Sequence, residues 1–135
     1  MSVEIDHLGI AVRSLTEGLS FYEQALGMTL SLRERVASEG VDVAMLPAGT
    51  SPEAPRIELL ESSSEDSAVG KFVAARGPGL HHVAVRVDDL GAAVDRLKSR
   101  GYGVLHEPRI GAGGHRYVFV HPHSTGGVLL ELIQK

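Results

Sequence analysis

The chain carries one pattern twice, at a spacing of about 75 residues. DHLGIAVRSLTEGLSFYEQALGM, beginning at Asp6, lies over HHVAVRVDDLGAAVDRLKSRGYG, beginning at His81. His7 falls on His82, Val12 on Val87 and Leu15 on Leu90. The ends of the copies match as well, with RIELLE at Arg56–Glu61 resembling LLELIQ at Leu129–Gln134. Two long copies are too few for a solenoid, whose short repeats stack in larger number. The repeat therefore predicts a single domain over 1–135 built of two modules, about 1–61 and about 80–135, joined by a connector over about 62–79.

Each copy reads locally as βαβββ. Val3–Val12 alternates apolar with polar or small residues, as a half-buried strand does. Ser14 and Glu17 form a capping-box pattern, and Gly27 is placed to close the helix that follows. In the second copy Asp88 is the expected cap of a helix running through Leu90, Val94 and Leu97 to Gly101. Leu15, Leu19, Tyr22 and Leu26 are spaced to make the buried stripe of the first helix. Strands are expected at about 28–35, 41–46 and 56–61, and again at 102–105, 116–121 and 127–133. The connector predicts a short helix at about 65–76, ended by Gly77-Pro78-Gly79. The class is α+β, two βαβββ modules whose curved mixed sheets surround a shared metal site.

Composition narrows the chemistry. The 135 residues carry a formal charge of −4, which offers no field for nucleic acid or an anionic membrane. There is no cysteine, which removes disulfides, thiolate nucleophiles, iron–sulfur clusters and cysteine-based zinc sites. No apolar run reaches the length of a membrane span and the start, MSVEIDHLGI, lacks a leader pattern, so a cytoplasmic protein is expected. Seven histidines without sulfur suit a hard or borderline metal.

Strand alternation sorts those histidines. His7 shares a face with Gly9 and Ala11, and His82 shares one with Ala84 and Arg86. The aliphatic residues take the opposite face, toward the helix. Small neighbours leave space beside an imidazole, which a pocket needs and a core does not. Glu58 and Glu131 each interrupt an aliphatic run in the last strand of their copy, where a carboxylate is costly unless partnered. The His-to-Glu spacing is close to fifty residues in both copies. His7, Glu58, His82 and Glu131 thus read as four ligands of one divalent ion, two imidazoles and two carboxylates. An octahedral ion held by four ligands keeps two positions for water or a chelating substrate. His81 is expected to face the helix side, and His106, His115, His121 and His123 to lie at the surface.

The motifs IDHLGIAV at Ile5–Val12, GLHHVAVRVDDL at Gly79–Leu90 and EPRIGAGGHRYVFVHPHSTGGVLLEL at Glu107–Leu132 carry a family resemblance. The sequence resembles the vicinal oxygen chelate superfamily and, within it, the methylmalonyl-CoA epimerases. Gly111-x-Gly113-Gly114-x-Arg116, His121-Pro122 and Gly127-Val128-Leu129 separate these from their relatives. The resemblance places the family's metal ligands on His7, Glu58, His82 and Glu131. It implies a divalent cofactor, cobalt first, with Mn, Ni, Zn or Mg as alternatives. It also implies methylmalonyl-CoA as substrate, interconversion of its (R) and (S) forms through an enolate, and a homodimer.

Inversion requires an acid/base group on each side of the reacting carbon. The resemblance makes Glu131 the first of these. The second is open among Glu58, a bound water and a residue not identified, because Val43 stands where some relatives carry Glu. Asp42 is adjacent but alternates to the other face. Gly113, Gly114 and Arg116 are the candidate substrate contacts, through backbone N–H groups and a guanidinium. Competing functions are a glyoxalase-type lyase, a non-haem iron dioxygenase, and a non-catalytic binding module of the same fold.

Overall fold

A computed structural model describes residues 2–135, so Met1, the first residue of the expected first module, lies outside the described residues. Two compact units emerge. One is His7–His81; the other joins the residues through Asp6 to His82–Lys135. The first strand, β1 (Val3–Ala11), therefore begins in one unit and continues in the other.

In the unit His7–His81 the order along the chain is the rest of β1, α1 (Leu15–Leu19), β2 (Leu32–Val36), β3 (Val41–Pro47), β4 (Arg56–Ser62) and α2 (Ala68–Arg76). The strands lie in the order β2-β3-β4-β1, with β1 parallel to β4 and the outer pairs antiparallel. Leu15 and Leu19 of α1 pack on Ala44, Leu46 and Leu59, with Ile10, Val12 and Ile57 at the margin. These are the aliphatic parity positions of β1, β3 and β4, so alternation alone decides which sheet face the helix covers.

The other unit repeats the plan with β5 (Gly79–Val87), α3 (Leu90–Ser99), β6 (Arg109–Ile110), β7 (Arg116–Val120) and β8 (Leu130–Gln134). The strand order is β1-β5-β8-β7-β6, with β5 parallel to β8. Leu90, Ala93 and Val94 of α3 pack on Val87, Val118, Val120 and Leu132. The α+β class and the βαβββ order of each copy are thus present. No helix of the described residues is long and apolar enough to cross a membrane.

Several boundaries differ from expectation. The first helix leaves α-geometry after Leu19 and continues as a π-helix over Ser20–Ala25. There the amide of Leu26 bonds the Phe21 carbonyl five residues back. The wider winding breaks the 3.6-residue stripe, so Leu26 is 59% exposed while Leu15 and Leu19 are buried. The helix of the second copy, α3, is capped by Asp89, which accepts from the Ala92 amide at 3.0 Å, whereas Asp88 accepts from the amide of Ser2. The strand expected at 102–105 shrinks to one bridge between Val104 and Val120, because the chain turns at Gly101 with φ +86°. Its place beside β7 is taken by β6. The last strand starts only at Leu130, after Gly126 and Gly127 adopt φ of +76° and +90°.

Candidate functional site

Each unit buries one histidine and one glutamate against each other. In the unit His7–His81, Cα register pairs Gly9 with Glu58 and His7 with Arg56. The side chains of His7 and Glu58 therefore rise on the same face, the one turned away from α1. His7 is 1% exposed and Glu58 5%. His7 Nε2 lies 3.4 Å from Glu58 Oε1.

The same geometry recurs in the other unit. Ala84 is registered with Glu131, which sets His82 and Glu131 on one face, away from α3. His82 Nε2 lies 3.3 Å from Glu131 Oε1, and both residues are buried. A carboxylate on an alternating strand would ordinarily point to water; both of these are inside, each against an imidazole. His7, Glu58 and His82 are candidate metal donors; Glu131, outside that group, offers the same donor type as Glu58. The donor set is nitrogen and oxygen without sulfur, which fits a borderline divalent ion and not calcium.

Around His82 and Glu131 the face is aromatic. Phe119 is registered with Glu131, and its ring stands edge-on to His82 at a centroid distance of 5.5 Å. Tyr117, registered with Ile133, packs beside it at 5.6 Å. His106 closes this group: its Nε2 accepts from the Phe119 amide at 3.3 Å, which places its proton on Nδ1, 2.7 Å from the Glu107 carbonyl. His106 is thus built into the aromatic face and is not a loose surface group. Tyr117 and Phe119 were not among the sequence candidates, although alternation through Arg116–Val120 carries the signal that sets them on one face; His106 needs the tertiary fold.

The remaining candidates separate. Arg86 shares the His82 face but is spent on acids, Glu4 at 2.6 Å and buried Asp6 at 3.3 Å, with Lys135 also on Asp6 at 2.9 Å. Arg116 is exposed and has the strand parity of Val118 and Val120, which pack on α3. Gly113 and Gly114 form a tight turn with φ of +70° and +79°. Gly111 ahead of them lies so close to Tyr117 that a Cβ there would meet the ring at 2.9 Å. His81 is half-buried against Phe72, ring centroids 5.1 Å apart. His115 is half-buried. His121 and His123 are exposed and stacked on each other at 4.7 Å.

Val43 is 1% exposed and lies on the Glu58 face, since it is registered with Leu60. Asp42 turns to the other face, where Arg35 grips both of its oxygens at 2.8 and 3.1 Å. Hydrogen bonding to that guanidinium holds the Asp42 carboxyl below its ordinary range.

A duplicated strand–helix–sheet unit with a buried His–Glu pair of candidate metal donors in each copy is the plan of the vicinal oxygen chelate class. The chain belongs to the Glyoxalase/Bleomycin resistance protein/Dioxygenase superfamily, whose family model matches residues 6–119. Among its relatives is the ethylmalonyl-CoA/methylmalonyl-CoA epimerase of Cereibacter sphaeroides, 37% identical with 96% of each chain covered. The human mitochondrial methylmalonyl-CoA epimerase is 35% identical, over 96% of this chain and 73% of that one. A solved methylmalonyl-CoA epimerase in complex with methylmalonyl-CoA and NH4+ matches with TM-score 0.94 at 38% identity. That match covers 100% of this chain and 96% of the other.

Proposed function

We propose that this chain is a methylmalonyl-CoA epimerase, an isomerase that interconverts the (R) and (S) forms of an acyl-CoA thioester. The observation that carries the reading is the buried His–Glu pair repeated at equivalent strand positions, His7 with Glu58 and His82 with Glu131. The full-length likeness to an epimerase holding methylmalonyl-CoA points the same way.

In this reading all 135 residues work as one domain of two modules, and the four residues together hold one divalent cation. When bound, such a cation would offset the substrate's standing carboxylate charge and the new negative charge of the enolate oxygen. Cobalt is the first choice, with Mn, Ni, Zn or Mg as alternatives that an N/O donor set accepts. The protein's own part is proton transfer. Glu131 takes the α-proton from one side of the carbon, and a second group returns one from the other. Glu58 combines ligation with a place on the catalytic face. Gly113 and Gly114 present backbone N–H groups to anionic parts of the substrate, whereas Arg116 has the parity of Val118 and Val120 and faces away from His82 and Glu131, so the substrate contact expected of it is dropped. The enzyme works as a cytoplasmic homodimer, a reading that rests on the family resemblance.

The test is direct. One stereoisomer of methylmalonyl-CoA is incubated with metal-loaded protein, and its stereochemical purity is followed. The account expects decay to the racemic mixture; persistent purity contradicts it.

A further inference from the structure

Inverting a carbon takes two proton-handling groups on opposite sides of it, and a single carboxylate leaves the reaction half-equipped. In the unit His7–His81 the sheet face that carries His7 and Glu58 can be read strand by strand. On β3 it holds Val41, Val43 and Met45, all buried and apolar. Met45 is registered with Glu58 on one side and Leu32 on the other. The next position outward from Val43 is Glu34 of β2, its direct register partner. Directly opposed residues in an antiparallel pair share a face. Glu34, half-buried, is therefore the one carboxylate besides Glu58 on this face of β1–β4.

Its position suits proton transfer better than ligation. β2 lies two strands from β4, and Glu34 is level with Leu60 through Val43, so it stands about 12 Å from Glu58, too far to share a ligand position with it. The register is pinned by the neighbouring pair: Arg35 is registered with Asp42 and binds it through two hydrogen bonds on the opposite face. A slip of one residue would turn Glu34 to that opposite face. An edge strand free to slip could not serve as a fixed acid/base.

We propose that Glu34 is the second proton-handling group of the epimerisation, occupying the role that Val43 cannot fill. This rests on the epimerase reading above. The test compares wild type with Glu34→Gln and Glu34→Asp, all metal-loaded, using (R)- and (S)-methylmalonyl-CoA separately in deuterated water. Metal content, thermal melting and deuterium uptake with configuration are read for each isomer. For Glu34→Gln we expect unchanged metal content and melting, and inversion slower by about 100-fold or more. Deuterium uptake should persist from one isomer only, with its configuration retained. Glu34→Asp should recover part of the inversion. Inversion by Glu34→Gln within about threefold of wild type overturns the proposal. So does loss of uptake from both isomers alike, or loss of the metal. A wild-type protein that inverts neither isomer defeats the epimerase reading instead, so the two failures are separable.

Discussion

Glu58 and Glu131 each sit among aliphatic residues of a buried strand, 5% and 7% exposed, with an imidazole nitrogen of the same unit at 3.4 and 3.3 Å. A lone buried carboxylate is expensive, and one beside a neutral histidine is only partly relieved. The proposed cation explains why both copies keep the arrangement. At this scale the ligands and the acid/base group are separable by mutation. His7→Ala should lower the metal content of the purified protein, measured by elemental analysis. Glu131→Gln should reduce inversion by about 10²- to 10⁴-fold even in molecules that still hold metal. Near-normal inversion by metal-loaded Glu131→Gln would exclude Glu131 as the base.

The helices show how the repeat extends to hydrogen bonds. Leu15 N donates to Glu61 Oε1 at 2.7 Å, and Leu90 N donates to Gln134 Oε1 at 2.7 Å. Glu61 and Gln134 stand three residues beyond Glu58 and Glu131, so each last strand places a carboxylate in its unit's site and caps the helix behind the sheet. Ser14 and Asp89 complete the caps by accepting from Glu17 N and Ala92 N. Gln134→Ala should cost about 1 kcal/mol, seen as a lower denaturation midpoint with inversion kinetics unchanged. An unaltered midpoint would remove the cap from the account. The π-wound turn makes a second contrast. Leu19→Ala, in the α1 core cluster, should cost about 2–5 kcal/mol, whereas exposed Leu26→Ser should stay within about 0.5 kcal/mol in the same denaturation assay.

For the whole molecule, what was legible in the sequence was whatever depends on strand parity and duplication. His7 and His82 could be assigned to the faces away from the helices because Ile10, Val12, Val85 and Val87 claimed the helix side. Glu58 and Glu131 stood out because one odd residue recurred at one place in both copies. What escaped depends on winding or on pairing between strands. Leu26 was misplaced because a π-turn leaves no trace in apolar spacing. Asp88 and Asp89 both fit the cap pattern in sequence, and only the repeat, which sets Asp89 over Ser14, distinguishes them. Glu34 stayed invisible because its face is set by the β2–β3 register, which the first strand estimate of 28–35 left undefined. The α3-side parity of Arg116 and the pairing of Arg86 with Glu4 and Asp6 likewise required partners to be known.

The central claim is that a metal held by these residues lets the protein strip and return an α-proton. Deuterium uptake at that carbon measures it most directly, with one isomer of methylmalonyl-CoA in deuterated water and protein that is metal-loaded, chelator-treated, or reloaded with cobalt. The account predicts uptake with the loaded protein, none after chelation, and recovery on cobalt addition. Absence of uptake by the metal-loaded protein, or uptake indifferent to the chelator, would contradict it.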